Sequence, residues 1–205
     1  MKNKSIMSEP DMHADIEPSL CAAGYQIGIN FNQFFQMIST NFIYQREDID
    51  LSLIKKDIWV VEFFSDEYYP DRKIASWNNS VVLIFDDNIL SFINLKNQYK
   101  GKFLNNIGIG DKVDLLLNKH YLHFYCEEHI LAPKFENKKI IEKYLFDNDL
   151  YDIDINDDDN IMSIIDNIHY LEYIKGISLR TNYLIQYSSE YSDQYIEEFN
   201  IFKGL

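Results

Sequence analysis

Apolar residues alternate with polar ones at two different periods along this chain. Phe31, Phe34, Phe35, Ile38 and Phe42 fall on one face of a 3.6-residue repeat. This predicts an amphipathic helix of about three turns, with Asn30 as its N-cap and Gly28 turning the chain into it. Asp57–Phe64 (DIWVVEFF) is β-branched and aromatic and predicts a strand. Residues 65–73 carry Pro70 and many charges and predict a loop. Val81–Phe85 and Ile89–Leu95 flank Asp86-Asp87-Asn88, a hairpin signal. Asp111 is placed to cap a short helix that turns Val113, Leu116 and Leu117 inward. His120–Ile130 is expected as a strand, and Lys139–Phe146 as another. Tyr151, Ile153 and Ile155 alternate with Asp152, Asp154 and Asn156, the period of a strand. Residues 157–160 would then turn, and Ile161–Asp166 would return as the second arm of a hairpin. Tyr173–Tyr187 and Asp193–Phe202 are expected as helices.

Placed side by side, two segments match. Asp86–Ile93 and Asp158–Ile165 share the pattern D-D-N-I-x-S-x-I at an offset of 72 residues. A glycine preceded by an apolar residue or lysine and followed by isoleucine recurs at Gly28, Gly108 and Gly176, where each would open a helix. The predicted fold class is therefore α+β: two tandem helix-plus-antiparallel-sheet units with a C-terminal helical cap. The expected division is a flexible N-terminal lead over 1–20, a first unit over 21–104 and a second over 105–205. A repeat of this length exceeds solenoid periods, so two units are expected and not an array.

Charge narrows the function classes. The 205 residues carry 33 acids against 19 bases, a net charge of -14. Such a surface repels phosphate backbones, which disfavours nucleic acid, and attracts basic partners with salt-sensitive steering. Solubility alone would account for the same excess. Hydrophobic residues make up 46% of the chain, enough to bury a core. Two cysteines, Cys21 and Cys126, make no disulfide framework and fit a reducing compartment. The opening residues contain no apolar signal region, and no apolar run approaches the roughly 20 residues of a membrane helix. A cytoplasmic protein without membrane contact is expected.

Candidate chemistry is sparse. Asp152, Asp154 and Asn156 occupy the first three ligand positions of a calcium loop, but Asp157 stands where glycine is needed and Ser163 where glutamate is needed. The reading preferred here is an acidic stripe on a hairpin. His120, His123, Cys126 and His129 are spaced by threes, a zinc-like stripe on a helix. On the expected strand, His120 and Cys126 face one way and His123 and His129 the other, so packing is the preferred reading. Cys126 beside a histidine is the least securely dismissed nucleophile. No phosphate loop, nucleophile elbow or HExxH helix is present, and Gly108-Ile109-Gly110 lacks the third glycine of a dinucleotide turn. No catalytic residue, cofactor or metal is expected.

The loop at 65–73 offers binding chemistry. Tyr68 and Tyr69 sit among Asp66, Glu67 and Asp71, and tyrosines rimmed by carboxylates suit an interface anchor. In type, this chain resembles bacterial toxin-immunity proteins, which are acidic α+β proteins that block a cognate toxin. Gly176-Ile177-Ser178-Leu179 also resembles the helix opening of the tandem units in β-lactamase inhibitor proteins. Gly28-Ile29-Asn30-Phe31 departs from it at the third position, and Gly108-Ile109-Gly110-Asp111 departs further. Both resemblances imply inhibition by surface occlusion, as in contact-dependent growth inhibition. The expected partner is a basic protein toxin such as a nuclease. It would be met by Asp66, Glu67, Tyr68, Tyr69, Asp86, Asp87, Asp152, Asp154, Asp157, Asp158 and Asp159. The competing expectations are a structural adaptor and a hydrolase built on buried carboxylates or Cys126.

Overall fold

The computed structural model describes residues 7–38, 41–44, 56–65, 67–187 and 192–204. The fold is mostly β. A two-stranded ribbon, β1 (Cys21–Ala22) and β2 (Tyr25–Gln26), precedes helix α1 (Phe31–Met37). Nine strands then build one sheet: β3 (Phe42–Tyr44), β4 (Trp59–Phe64), β5 (Arg72–Trp77), β6 (Val81–Asp86), β7 (Ile89–Lys96), β8 (His120–Tyr125), β9 (Glu128–Pro133), β10 (Ile177–Thr181) and β11 (Ile196–Phe202). Their order is β3-β4-β5-β6-β7-β11-β10-β9-β8, parallel only between β3 and β4. Helix α2 (Asp114–Leu117) precedes β8, and α3 (Lys134–Asp147) and α4 (Asp158–Ile164) lie between β9 and β10. No helix among the described residues is long and apolar enough to cross a membrane.

This corrects the expected α+β architecture of tandem helix-plus-sheet units with a helical cap. The last element among the described residues is a strand, and it is central. β11 inserts between β7 and β10, pairing Ile201 with Ile93 on one side and with Ile177 on the other. One sheet thus runs across residues 104 and 105. The expected helix over 173–187 contains strand β10, and Gly176-Ile177-Ser178-Leu179 opens that strand. The expected strand over 139–146 lies inside α3. The expected hairpin arm over 161–166 lies in α4 and the single 3-10 turn that follows it.

Two cores form on opposite faces. Leu122 and Leu131 belong to the main core, whereas their chain neighbours Tyr121 and Ala132 belong to the smaller one. Successive strand residues point to opposite faces, so the cores are separated by the sheet. The main core packs α1 and the N-terminal segment against β4–β7 and β11. Phe34 lies edge-on to Trp59 at 5.1 Å and Phe31 edge-on to Phe85 at 5.1 Å. Asn30 caps α1 as expected, accepting from Asn32 N at 2.9 Å. Residues 7–20 are tied to this face: Ser8 O accepts from Trp59 Nε1 at 2.9 Å, and Ile16 is buried. Gly176 sits at φ +76°, and a Cβ there would come within 2.1 Å of Ser19 Oγ, so this crossing needs glycine. The smaller core packs α3 and α4 on β8 and β9 through Ile141, Leu145, Ile161 and Ile165. Buried Asn137 joins α3 to the following loop, donating to Glu172 O at 2.8 Å and accepting from Glu172 N at 2.7 Å.

Candidate partner-binding surface

The predicted site residues divide between two places. The first is the β6–β7 turn. Asp87 and Asn88 both have left-handed backbones, φ 49° and 64°, the requirement of a type I′ hairpin turn. The register pairs Lys73 with Phe85, which brings Arg72 beside Asp86. Arg72 Nε donates to Asp86 Oδ1 at 2.7 Å and Nη2 to Oδ2 at 3.2 Å, while Ser91 Oγ donates to Oδ2 at 2.6 Å. Burial would raise the Asp86 carboxyl, but the hydrogen bonds from Arg72 and Ser91 hold it below its usual value. The Arg72 guanidinium also lies 3.3 Å from the centre of the Tyr69 ring. The structure therefore gathers Tyr69 and Asp86 around a cation that the sequence reading did not name. Lys73 likewise pairs with Asp71, which accepts from Asn88 Nδ2 at 3.0 Å. Of the group, Asp87, Glu67 and Tyr68 stay exposed, and Asp66 lies outside the described residues.

The second place is the segment from the end of α3 into α4. The predicted acidic hairpin is corrected here. Asp157 is the N-cap of α4, its carboxylate accepting from Asp159 N at 3.1 Å and Asn160 N at 3.2 Å. Asp158 is paired with Lys134, so it too is neutralised. Asp154 closes a local turn by accepting from Asn156 N at 2.9 Å. Asp149, Asp152 and Asp154 are exposed and form no ion pair among the described residues. Beside them stand two rings that the sequence did not mark as exposed. Phe146 and Tyr151 are each 68% exposed and meet edge-on at 6.3 Å, and Tyr151 Oη donates to Asp149 Oδ1 at 3.1 Å. Uncompensated carboxylates and exposed aromatic area coincide here.

The histidine and cysteine spacing folds into a hairpin, which changes its parity. Cys126 and Glu127 form the turn, and Tyr125 pairs with Glu128. His120 and His129 consequently share the main-core face, while His123 points to the other, a correction of the expected pairing. His129 is fully buried with no hydrogen-bond partner for either ring nitrogen among the described residues, and burial pushes its pKa down to about 4. His123 bridges Tyr173 Oη at 2.7 Å and Asp166 Oδ1 at 2.7 Å. Burial and the nearby Asp166 raise the Tyr173 phenol, the reverse of what an activated nucleophile needs. Among the described residues, no three His, Cys, Asp or Glu side chains are grouped to hold a metal ion. In comparisons with protein-family models, curated proteins and solved structures, nothing matches this chain.

Proposed function

We propose that the protein is an immunity or inhibitor protein that binds a basic protein toxin and occludes its active site through an acidic surface. The observation that carries this reading is the exposed Phe146–Tyr151 pair set among Asp149, Asp152 and Asp154. Aromatic rings supply contact area at low entropic cost, and unpaired carboxylates steer a cationic partner into register. The net charge of -14 extends that steering beyond the patch. A nuclease is one fitting target, because a surface that holds phosphates is cationic. Asp86 and Asp158 take a smaller part in this proposal than the sequence implied, since Arg72 and Lys134 already hold them. The cytoplasm is the proposed compartment, where such a protein would protect its own cell.

The direct test is co-expression with the product of the gene immediately upstream. The expected result is a stable co-purified complex in which the partner's toxicity is suppressed. A partner that stays toxic and elutes alone would overturn the reading.

A further inference from the structure

A cleft of about 380 Å³ opens between the turn at 104–107 and the residues from Leu115 to His120. His120 lines it and is 6% exposed. Its Nδ1 lies 3.2 Å from Leu116 O. A carbonyl only accepts, so Nδ1 carries the proton and Nε2 keeps its lone pair. Nε2 has no partner among the described residues. Burial lowers the His120 pKa, which keeps the ring neutral near pH 7. Lys119, also on the cleft, is exposed and forms no ion pair among the described residues, although the chain is strongly acidic. Asn105, Asn106 and Asn118 add amide groups, and Leu104 and Leu115 form an apolar rim, each about half exposed. Leu104 and Asn105 are both held in the left-handed region, φ 52° and 67°. A leucine in that region is strained, and this one is about half exposed, so burial does not offset the strain.

From this set of groups we infer that the cleft is a binding site for an apolar carboxylate that also carries an N–H donor, as in an N-acylated amino acid or the C-terminus of a peptide. The carboxylate meets Lys119 and the asparagine amides, the N–H donates to His120 Nε2, and the apolar side chain rests on Leu104 and Leu115. Such a site uses each otherwise unpartnered group in the cleft. It stands independently of the acidic patch and of any toxin.

The probe is N-acetyl-leucine, titrated into the full-length protein while ring and backbone resonances are followed by NMR. Saturable binding in the millimolar range is expected, with the His120 ring nitrogens shifted. His120→Asn keeps a donor toward Leu116 O and removes Nε2, and Lys119→Ala changes only an exposed side chain. Each should weaken binding about tenfold. N-acetyl-leucine amide should bind at least tenfold more weakly than the acid. A tripeptide ending in leucine with a free carboxylate separates the two sources. Tighter binding than the free acid identifies a peptide terminus, and equal binding a small molecule, both at this site. No saturation to about 10 mM would overturn the inference, as would equal binding of the amide or binding that both variants leave unchanged.

Discussion

Asp86–Ile93 and Asp158–Ile165 share the pattern D-D-N-I-x-S-x-I, yet the first is a hairpin turn entering β7 and the second is helix α4. The residue before each copy differs. Phe85 lies in strand β6, where Val81, Leu83 and Phe85 are all fully buried, so the chain arrives extended. Asp157 places an acceptor where the first free N–H groups of a helix need one. The shared serine follows its surroundings. Ser91 Oγ donates to the Asp86 carboxylate across the hairpin at 2.6 Å, whereas Ser163 Oγ donates back along the helix to Asn160 O at 2.7 Å. The shared isoleucine does too: Ile89 is exposed and Ile161 fully buried. Conformation here is set by the flanking residue and by distant packing partners, and the string itself is neutral between the two.

Substitutions at matched positions break this comparison in graded steps. Phe85→Ala should cost about 3–5 kcal/mol in denaturant unfolding, because it empties the junction between α1 and the sheet. Ile161→Ala should cost about 2–5 kcal/mol, while Ile89→Ala should stay within about 0.5 kcal/mol. Equal costs for the two isoleucines would refute the assignment of one copy to helix and the other to hairpin. Asp157→Ala should remove about 1 kcal/mol with loss of the α4 cap.

A comparable effect of about 1 kcal/mol at pH 7 is expected for Asp86→Asn, with a pH signature. The folded carboxyl is held below the ordinary aspartate value, so the unfolded chain binds the proton more readily. Its contribution is complete above that ordinary value and is lost as pH falls from it through the lower folded value. The variant should therefore show a shallower loss of stability below about pH 4. Smallest, and of opposite sign in the two copies, are the glycine exchanges. Asp87→Gly relaxes a left-handed residue and should stabilise by about 0.5 kcal/mol, whereas Asp159→Gly should cost about 0.5 kcal/mol in the first turn of α4.

The sequence was legible where local signals and packing agree. Phe42, expected on the α1 face, opens β3 instead, but the rest of that face, the Asn30 cap, the strand β4 and the β6–β7 hairpin all carry a clean period or a turn with the required residues. It failed where a short apolar run fits both periods. In β11, Ile196, Phe199 and Phe202 recur every third residue and the Glu197-Glu198 pair favours helix, so the segment reads as helical. Its place between β7 and β10 supplies what local pattern lacks, including partners for buried Asn200: Asn94 Nδ2 donates to its Oδ1 at 2.7 Å, and its own Nδ2 donates to Glu128 Oε1 at 2.7 Å. Helix α3 failed the other way, because Ile140-Ile141 suggested a strand before the Asn137 contacts were visible. At the candidate surface, the acidic stretch was legible from composition. Which carboxylates are neutralised was not, because Arg72 and Lys134 reach them only through sheet register and helix docking.

The central claim is that a basic partner is steered to the unpaired carboxylates around Phe146 and Tyr151. The most direct measurement is the association rate with the upstream gene product across a salt series. Reversing Asp149, Asp152 and Asp154 to lysine should slow association about tenfold at low salt and flatten its salt dependence. A matched reversal of Asp87 on the β6–β7 turn should change the rate much less. A rate unchanged by the triple reversal, or an equal loss from Asp87 alone, would contradict the account.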